Sequence, residues 1–513
     1  MKHILLLVLT TILAATLHAA KPNVLFIAID DLNDWIGSMG GHPQARTPNL
    51  DRLAKRGVLF TNAHCQAPIC NPSRVSLLTG VRPSTSGVYD LNQPHHLSPM
   101  LKKAVTLPAQ FKANGYHVLG RGKIYHGRYK YPEDWHDFKA TGDARNKQFR
   151  VKPISSVPGI GVRDFGPIDL EEEKFGDLMN ARWAAEQLKR DFGKPFFLAV
   201  GIRLPHVPLY APKRFFARHP EAGVRLPAVR ADDLTDLPPA ALAITRYMYG
   251  RPLNHKSVIE SGNWKNAVAA YLACTEFVDH CVGVMLKSLD ESAHANNTII
   301  VLWSDHGWHL GEKEHWAKRS LWEESTRVPL ILAGPGIVRG TSLRAVGLID
   351  LYPTLAELCG LPQPPQKLEG RSLLPLVSDP VRNDWHDLAF SEYCTEPGDP
   401  AHSDGENIWQ NRMVREGDWK LNYYHKMPSQ LFNLADDPDE LNDLIDSPEH
   451  AEIARRLTGM VLDGWDPEWV DAQIREQSAN LEILVPWAKN TAPADTVRWQ
   501  LDPEWDYLDD PQT

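Results

Sequence analysis

Six cysteines are few for 513 residues, and no two of them stand in CxxC spacing. That argues against a zinc knuckle, whose thiolates come in close pairs, and against a small disulfide-held scaffold. Cys274 and Cys281 fall on one predicted helix, on one face but too far apart along it to bridge, and read as core thiols. Basic tracts are missing too. Lys plus Arg number 55 against 64 Asp plus Glu, a net charge of −9, so nothing draws the chain to nucleic acid. Internal repeats and low-complexity tracts are also absent. Beyond the opening residues, no run is expected to be apolar enough to cross a bilayer, which takes roughly 20 residues.

What the chain does have is enough apolar sequence for a packed core, 43% hydrophobic against 23% charged. Its 16 tryptophans serve cores and interfaces first. The indole also stacks on sugar rings, which points toward carbohydrate. Residues 1–20 read as a signal peptide: Lys2 and His3, the apolar run Ile4–Leu17, then Ala19 and Ala20 before Lys21 and Pro22. A membrane anchor is the competing reading. The run is shorter than a span, and no cysteine sits at the cleavage point to carry lipid. The expectation is an exported protein, periplasmic or extracellular, with no stable membrane anchor.

Pro22–Asp31 is a short apolar run ending in two acids. It predicts a buried parallel strand whose polar end lies at the sheet edge where open α/β sheets bind ligands. Thr47–Gly57 and Thr106–Gly115 carry a helix start, helical apolar spacing and a glycine stop. Tyr116–Leu119, Pro195–Val200, Asn297–Ser304 and Val328–Ala333 read as further buried strands, and Asn263–Leu289 as a long amphipathic helix. Alternation of strand and helix to about residue 375 predicts an α/β fold with a mostly parallel sheet flanked by helices. Arg128–Pro167 and Pro205–Asn263 interrupt it as long irregular rims. Short runs at Leu388–Tyr393, Asn411–Arg415, Trp419–Tyr424 and Gln430–Asn433 then predict an antiparallel sheet, followed by two helices and a tryptophan-rich tail. The expected division is a signal peptide over 1–20, an α/β catalytic domain over 21–378 and a smaller C-terminal α+β domain over 379–513.

Asp30-Asp31 and Asp305-His306 each close a buried strand. Alone, either pair is equally a solvated turn or a helix cap. Together, at two strand ends, they can converge at one edge, where carboxylate oxygens hold a hard divalent cation. Cys70-Asn71-Pro72-Ser73-Arg74 runs on through Val75-Ser76-Leu77-Leu78-Thr79-Gly80. A turn followed by a capped helix accounts for Pro72 and Ser73 but not for the full string. His95-His96 reads as a solvated loop, with metal or substrate binding as the alternative. Trp308 and His309, next to the second acidic pair, are candidate pocket-lining residues.

The string from Cys70 to Gly80 resembles the sulfatase motif CxPSRxxxLTG in every fixed position. The resemblance runs from about residue 22 to about residue 445. Asn23–Asp31 is similar to the family's opening strand, Gly122-Lys123-Ile124-Tyr125-His126 to its GKxxH segment, and Leu204–Pro208 to PHxP. Ser304–Gly307, with Gly311-Glu312 and Trp316-Ala317-Lys318, is similar to the second metal motif, and Ile349–Thr354 to DLYPTL. Gln430–Leu434 resembles the closing LYDL stretch, with Phe432 and Asn433 departing from it. Gly122–His126, Val88-Tyr89-Asp90 and the run from Ser304 to Lys318 are most similar to iduronate 2-sulfatases and their bacterial relatives.

This resemblance implies an alkaline-phosphatase-like fold and a sulfuric ester hydrolase. The implied substrate is a sulfated glycan or saccharide, with 2-sulfated iduronate or a related uronate or polysaccharide sulfate as the leading class. It implies one calcium ion per chain, held by Asp30, Asp31, Cys70, Asp305 and His306. It also implies conversion of Cys70 by a formylglycine-generating maturation enzyme, the formylglycine hydrate being the nucleophile. Arg74 would hold the hydrate. Lys123, Lys318 and His206 would grip the sulfate oxygens, with Lys318 or His206 protonating the departing alkoxide, and His126 would be the base that re-forms the aldehyde. Each has a plainer reading alone, as a surface lysine or a loop or buried histidine, and only their joint spacing groups them. Two rivals remain. One is a phosphoester or phosphonate hydrolase of the alkaline-phosphatase superfamily, against which the PHxP and GKxxH pair argues. The other is a glycan-binding protein with an unmodified Cys70, for which a full metal and sulfate set is superfluous. The rims, which match no motif, would set the sugar, the sulfate position and exo or endo action.

Overall fold

The chain is described here by a computed structural model over residues 21–491, except 92, 94, 127–130, 140–152, 247–254 and 395–409. The expected signal peptide, the tail after residue 491 and parts of both rims lie outside the described residues. Strand β1 (Asn23–Asp30) sends Leu25, Ile27 and Ile29 into one apolar cluster and Val24, Phe26 and Ala28 into another. Such burial on both faces is what a near-continuous apolar strand demands. The other strands of its sheet are β2 (Val58–His64), β3 (His117–Gly122), β4 (Asp137–Lys139), β5 (Phe196–Pro205), β6 (Thr298–Ser304), β7 (Arg327–Ala333), β8 (Gly340–Ser342) and β9 (Val346–Gly347).

Among the described residues the strands pair in the order β8-β2-β7-β6-β1-β5-β3-β4, with β9 also beside β2. All pairings are parallel except those of β7, which runs antiparallel to both β2 and β6. The mostly parallel α/β sheet is as expected. The reversal of Val328–Ala333 and the strand at Val58–His64 are not. Thr61, Asn62 and His64 interrupt the apolar run of β2, and its pairing with β7 is a tertiary fact that periodicity does not carry.

Helices α1 (Pro48–Ala54), α2 (Cys70–Thr79), α3 (Leu107–Ala113), α4 (Gly176–Gln187), α5 (Trp264–Asp290) and α6 (Leu351–Leu358) lie between the strands in sequence. By length and composition α5 could cross a membrane, which corrects the expectation that no later segment could. Its apolar residues are instead used in the core: Ala267 to Cys274, Phe277, Val278, Cys281 and Met285 are buried in the cluster that holds one face of β1. All six cysteines are buried.

The C-terminal part is a meander of four antiparallel strands, β10 (Leu388–Cys394), β11 (Gln410–Glu416), β12 (Trp419–Tyr424) and β13 (Gln430–Asn433). Helices α7 (Ala451–Leu462) and α8 (Pro467–Thr491) follow. Val414, Leu421 and Leu431 of the sheet pack with Leu457, Val461 and Ile474 of these helices. The sheet is fastened to the larger one by buried charge. Lys420 on β12 is fully buried and lies 2.9 Å from both Glu323 and Glu440. Glu392 on β10 accepts from the Ser84 amide (2.8 Å) and hydroxyl (2.9 Å).

Burial pushes the Glu323 carboxyl up, but Lys420 and neighbouring cations outweigh it and hold it well below the usual range. A carboxylate depressed in this way adds stability above its unfolded pKa that is lost as pH falls. Lys420→Ala takes from buried Glu440 its ammonium partner and leaves Glu323 with Arg327 (3.1 Å) alone as an ion-pair partner among the described residues. It should cost about 3–5 kcal/mol near neutral pH, seen as a lower calorimetric unfolding midpoint, with the gap to wild type narrowing in acid. An unchanged midpoint would mean that the pair does not fasten the two sheets.

Candidate active site

Three registers bring the site together. Ile29 pairs with Ser304 across β1 and β6, which sets Asp30-Asp31 beside Asp305-His306. A shift in the β1–β5 ladder pairs Asp30 with Pro205, next to His206. Gly122 pairs with Gly201 across β3 and β5, which delivers Lys123. Here the strands approach too closely for side chains: a Cβ on Gly201 would lie 2.2 Å from the Lys123 amide nitrogen, and Gly122 has φ of 78°.

Helix α2 begins at Cys70, and every one of its residues is buried. Residue 70 thus sits at a helix N-terminus, where free amides and the helix dipole favour negative charge. Arg74, one turn on, has no exposed surface. It donates to Asp305 Oδ2 (2.8 Å), Asp30 Oδ1 (3.1 Å) and the carbonyls of Lys123 (2.6 Å) and Ile124 (3.1 Å). Ser73 Oγ donates to the Asp305 carbonyl (2.5 Å), so the helix start is bolted to β6.

Around Cys70 Sγ stand Lys318 Nζ (3.0 Å), His306 Nε2 (3.2 Å) and Lys123 Nζ (3.6 Å). Lys318 also reaches Asp31 Oδ1 (2.8 Å), and Lys123 reaches Asp30 Oδ2 (2.5 Å). His306 Nδ1 donates to the Gly307 carbonyl (3.0 Å), and its Nε2 lies 3.3 Å from Asp31 Oδ1; burial lowers its pKa, but Asp305, Cys70 and Asp31 outweigh burial and Lys318 and raise it. Asp31 is held in the left-handed region (φ 61°), its carbonyl bound by the Tyr271 hydroxyl. His206 is buried, with Nδ1 2.7 Å from the Val207 carbonyl. His126 is buried on the segment that Arg74 grips through Lys123 and Ile124.

The electrostatics suit a divalent cation. Burial raises the Asp31 carboxyl to about 7 against the pull of Lys318, with Asp30 adding to the rise. Burial likewise raises Asp305 to about 6, opposed mainly by Arg74. Asp30 goes the other way: Lys123, His206 and Arg74 overcome burial and hold it well below the carboxylate range. At Cys70 burial opposes the thiolate, but Lys123 and Lys318 outweigh it and hold the thiol well below its ordinary value. Asp31 Oδ2 is buried with no hydrogen-bond partner. Ligand atoms of Asp30, Asp31, Cys70 and His306 all lie within 4.8 Å of one another, the one such cluster among the described residues. An orphaned carboxylate oxygen among oxygen and nitrogen donors suits a divalent cation. Asp305 stands at its edge, with Oδ2 taken by Arg74 and Oδ1 accepting from the Asp31 and His306 amides.

A family model described as Sulfatase matches residues 22–361, and one described as N-sulphoglucosamine sulphohydrolase, C-terminal, matches residues 311–463. The chain belongs to the sulfatase family. It is an enzyme that hydrolyses sulfate esters, and sulfatases typically use a metal ion and a formylglycine. The chain is 37% identical to a sulfatase of Formosa agariphila over 82% of each chain, and 30% identical to a choline-sulfatase of Rhizobium meliloti over 92% of each. It is 32% identical to mouse iduronate 2-sulfatase over 67% of this chain and 70% of that one. Among solved structures, a phosphonate monoester hydrolase of Agrobacterium radiobacter shares the fold at a TM-score of 0.71 and 22% identity, covering 86% of this chain and 95% of that one. A 2-O GAG sulfatase shares it at 0.64 and 23%, covering 95% and 96%.

Two expectations for the sulfatase need correction. His309 does not face residue 70: its Nε2 bonds Ser320 Oγ (2.8 Å) and its ring meets His315 and Trp322. Trp308 does lie near the site, its ring 5.8 Å from the Lys318 ammonium. His95-His96 is no solvated loop. His95 is buried with its ring 4.0 Å from that of Tyr131, and burial lowers it to about 3. Asn71, inside the motif but assigned nothing by sequence, ties the helix start to a neighbouring loop. Arg74→Lys keeps the charge but loses the planar fork that spans Asp30 and Asp305. Sulfate release should fall at least about 100-fold, or about 2.7 kcal/mol in the barrier, with the far-ultraviolet spectrum retained. Near-normal turnover would show that the fork is dispensable.

Proposed function

We propose that this sulfatase removes sulfate esters from a sulfated glycan after export, with Cys70 converted to formylglycine by a maturation enzyme. We further propose that calcium is held by Asp30, Asp31, Asp305 and His306 together with residue 70. The observation that carries this is residue 70 at a helix N-terminus, between two lysines and against a carboxylate–histidine cluster. When in place, the cation polarises the sulfate oxygens and the converted residue supplies an oxygen nucleophile where Sγ now lies.

The remaining roles follow from the chain's own side chains. Lys123 and Lys318 hold negative charge at residue 70 and grip the incoming sulfate. Arg74 has committed four N–H contacts to Asp30, Asp305 and two carbonyls, so it acts chiefly by positioning. Burial and then Lys123 keep the His206 imidazole well below its usual pKa, and Nδ1 carries its hydrogen toward Val207. Its Nε2 is therefore an acceptor with no proton to give, which leaves Lys318 to protonate the departing alkoxide. His126 is the proposed proton acceptor from residue 70.

Uronate 2-sulfate is the leading substrate. In its support, relatives named iduronate 2-sulfatase and Delta 4,5-hexuronate-2-O-sulfatase are 32% and 27% identical to the chain. The likeness to phosphonate hydrolases is one of fold. Co-expressed with a formylglycine-generating enzyme and supplied with calcium, wild type should release sulfate from a panel of sulfated disaccharides, and Cys70→Ala should lose at least about 1,000-fold. Release of phosphate or phosphonate products in place of sulfate, with residue 70 converted by mass, would contradict the proposal.

A further inference from the structure

Asn71 Nδ2 donates to the carbonyls of Asp90 (2.8 Å) and Gln93 (2.7 Å), so the stretch Val88–Leu91 and Gln93 are tied to the residue after Cys70. Leu91 of this loop clusters with Ala67, Ile69 and Cys70 itself. The Asp90 carboxylate lies 3.3 Å from the guanidinium of Arg319, the residue after Lys318, and both side chains keep some exposure, 15% and 8%. The Arg319 amide in turn donates to the Pro68 carbonyl (3.1 Å), two residues before Cys70. Ala317 and Arg319 both have φ of 73°, a conformation that side-chain-bearing residues adopt rarely and at some cost. The outcome is that neighbouring side chains divide, Lys318 to Cys70 and Arg319 to Asp90.

Sulfate cleavage itself has no use for this second arrangement. A partly exposed carboxylate and guanidinium, one on the loop held by Asn71 and the other next to Lys318, offer the acceptors and donors that a ring bearing several hydroxyls requires. The loop that carries Asp90 is closed from far away. Gln93 Oε1 accepts from the amides of Tyr89 (2.5 Å) and Asp90 (3.0 Å), and Gln93 Nε2 donates to Gln477 Oε1 on α8. Gln477 Nε2 donates to the Gly87 carbonyl (2.9 Å), so one amide from the C-terminal helix grips both ends of the loop.

We propose that Val88–Leu91 and Gln93, with Asp90 and Arg319, form the subsite for the sugar ring of the leaving alcohol, and that Gln477 is the positioning residue that holds it. This rests on the sulfatase reading for the identity of the leaving group. Gln477→Ala should raise KM about 10-fold for a heparin disaccharide sulfated at the uronate 2-position, with kcat within about twofold. For 4-nitrophenyl sulfate, which has no sugar, kcat/KM should stay the same. Gln477→Glu keeps the acceptor for Gln93 and should recover part of the loss. Equal losses on both substrates, or no loss on either, would overturn the proposal. Amide exchange decides it without turnover: in wild type, the unsulfated disaccharide should slow exchange across residues 87–93, and Gln477→Ala should abolish that protection. No protection in wild type would sink the subsite. Failure of wild type to release sulfate from any substrate would instead sink the sulfatase reading, and the exchange result would stand by itself.

Discussion

Arg74 is a guanidinium without any exposed surface, and the candidate site is assembled around it. Taking such a charge out of water costs several kcal/mol, recovered only when its donors find good partners. Arg74 finds them on β1 through Asp30, on β6 through Asp305, and on the segment after β3 through two carbonyls. One side chain from the first turn of α2 therefore fixes the distance between residue 70, both acidic pairs and Lys123. The parallel sheet supplies the framework by ending β1, β3, β5 and β6 at the same edge, which is where open α/β sheets present ligands.

That arrangement leaves an imbalance that explains the chemistry. Arg74 and Lys123 satisfy Asp30, which stays ionised, but at Asp31 Lys318 and His306 both meet Oδ1, and Oδ2 is left bare and buried. Two lysines and a helix N-terminus at residue 70 make an anion welcome there. A bare buried carboxylate oxygen beside a helix start that favours anions is the arrangement on which the proposed pairing of a divalent ion with a sulfate rests.

Much of this was readable in the sequence because the decisive residues lie in short strings. β1 and β6 are apolar runs that stop at acid pairs, and the Cys70–Gly80 string encodes both a helix and its chemistry. What was not readable depends on partners distant in the chain. The antiparallel placement of β7 needs β2, whose polar residues hide it. The apolar surface of α5 is large because the helix is buried nearly all round, and hydropathy does not separate that from a membrane span. His309 adjoins the acidic pair in sequence yet turns to Ser320, since the two-residue strand it belongs to pairs with Trp316-Ala317. The grip of Gln477 on Gln93 spans 384 positions and carries no local signal at all.

The central claim is that the Asp31 corner requires a cation, and calorimetric titration of the protein with calcium tests it most directly. Burial raises Asp31 to about 7 in the metal-free protein, so its carboxyl holds a proton below that pH and must lose it to become a ligand. The expected result is one calcium per chain, with about one proton released near pH 6 and an affinity that falls roughly tenfold for each unit below pH 7. Absence of binding, or binding that neither releases a proton nor weakens in acid, would contradict it.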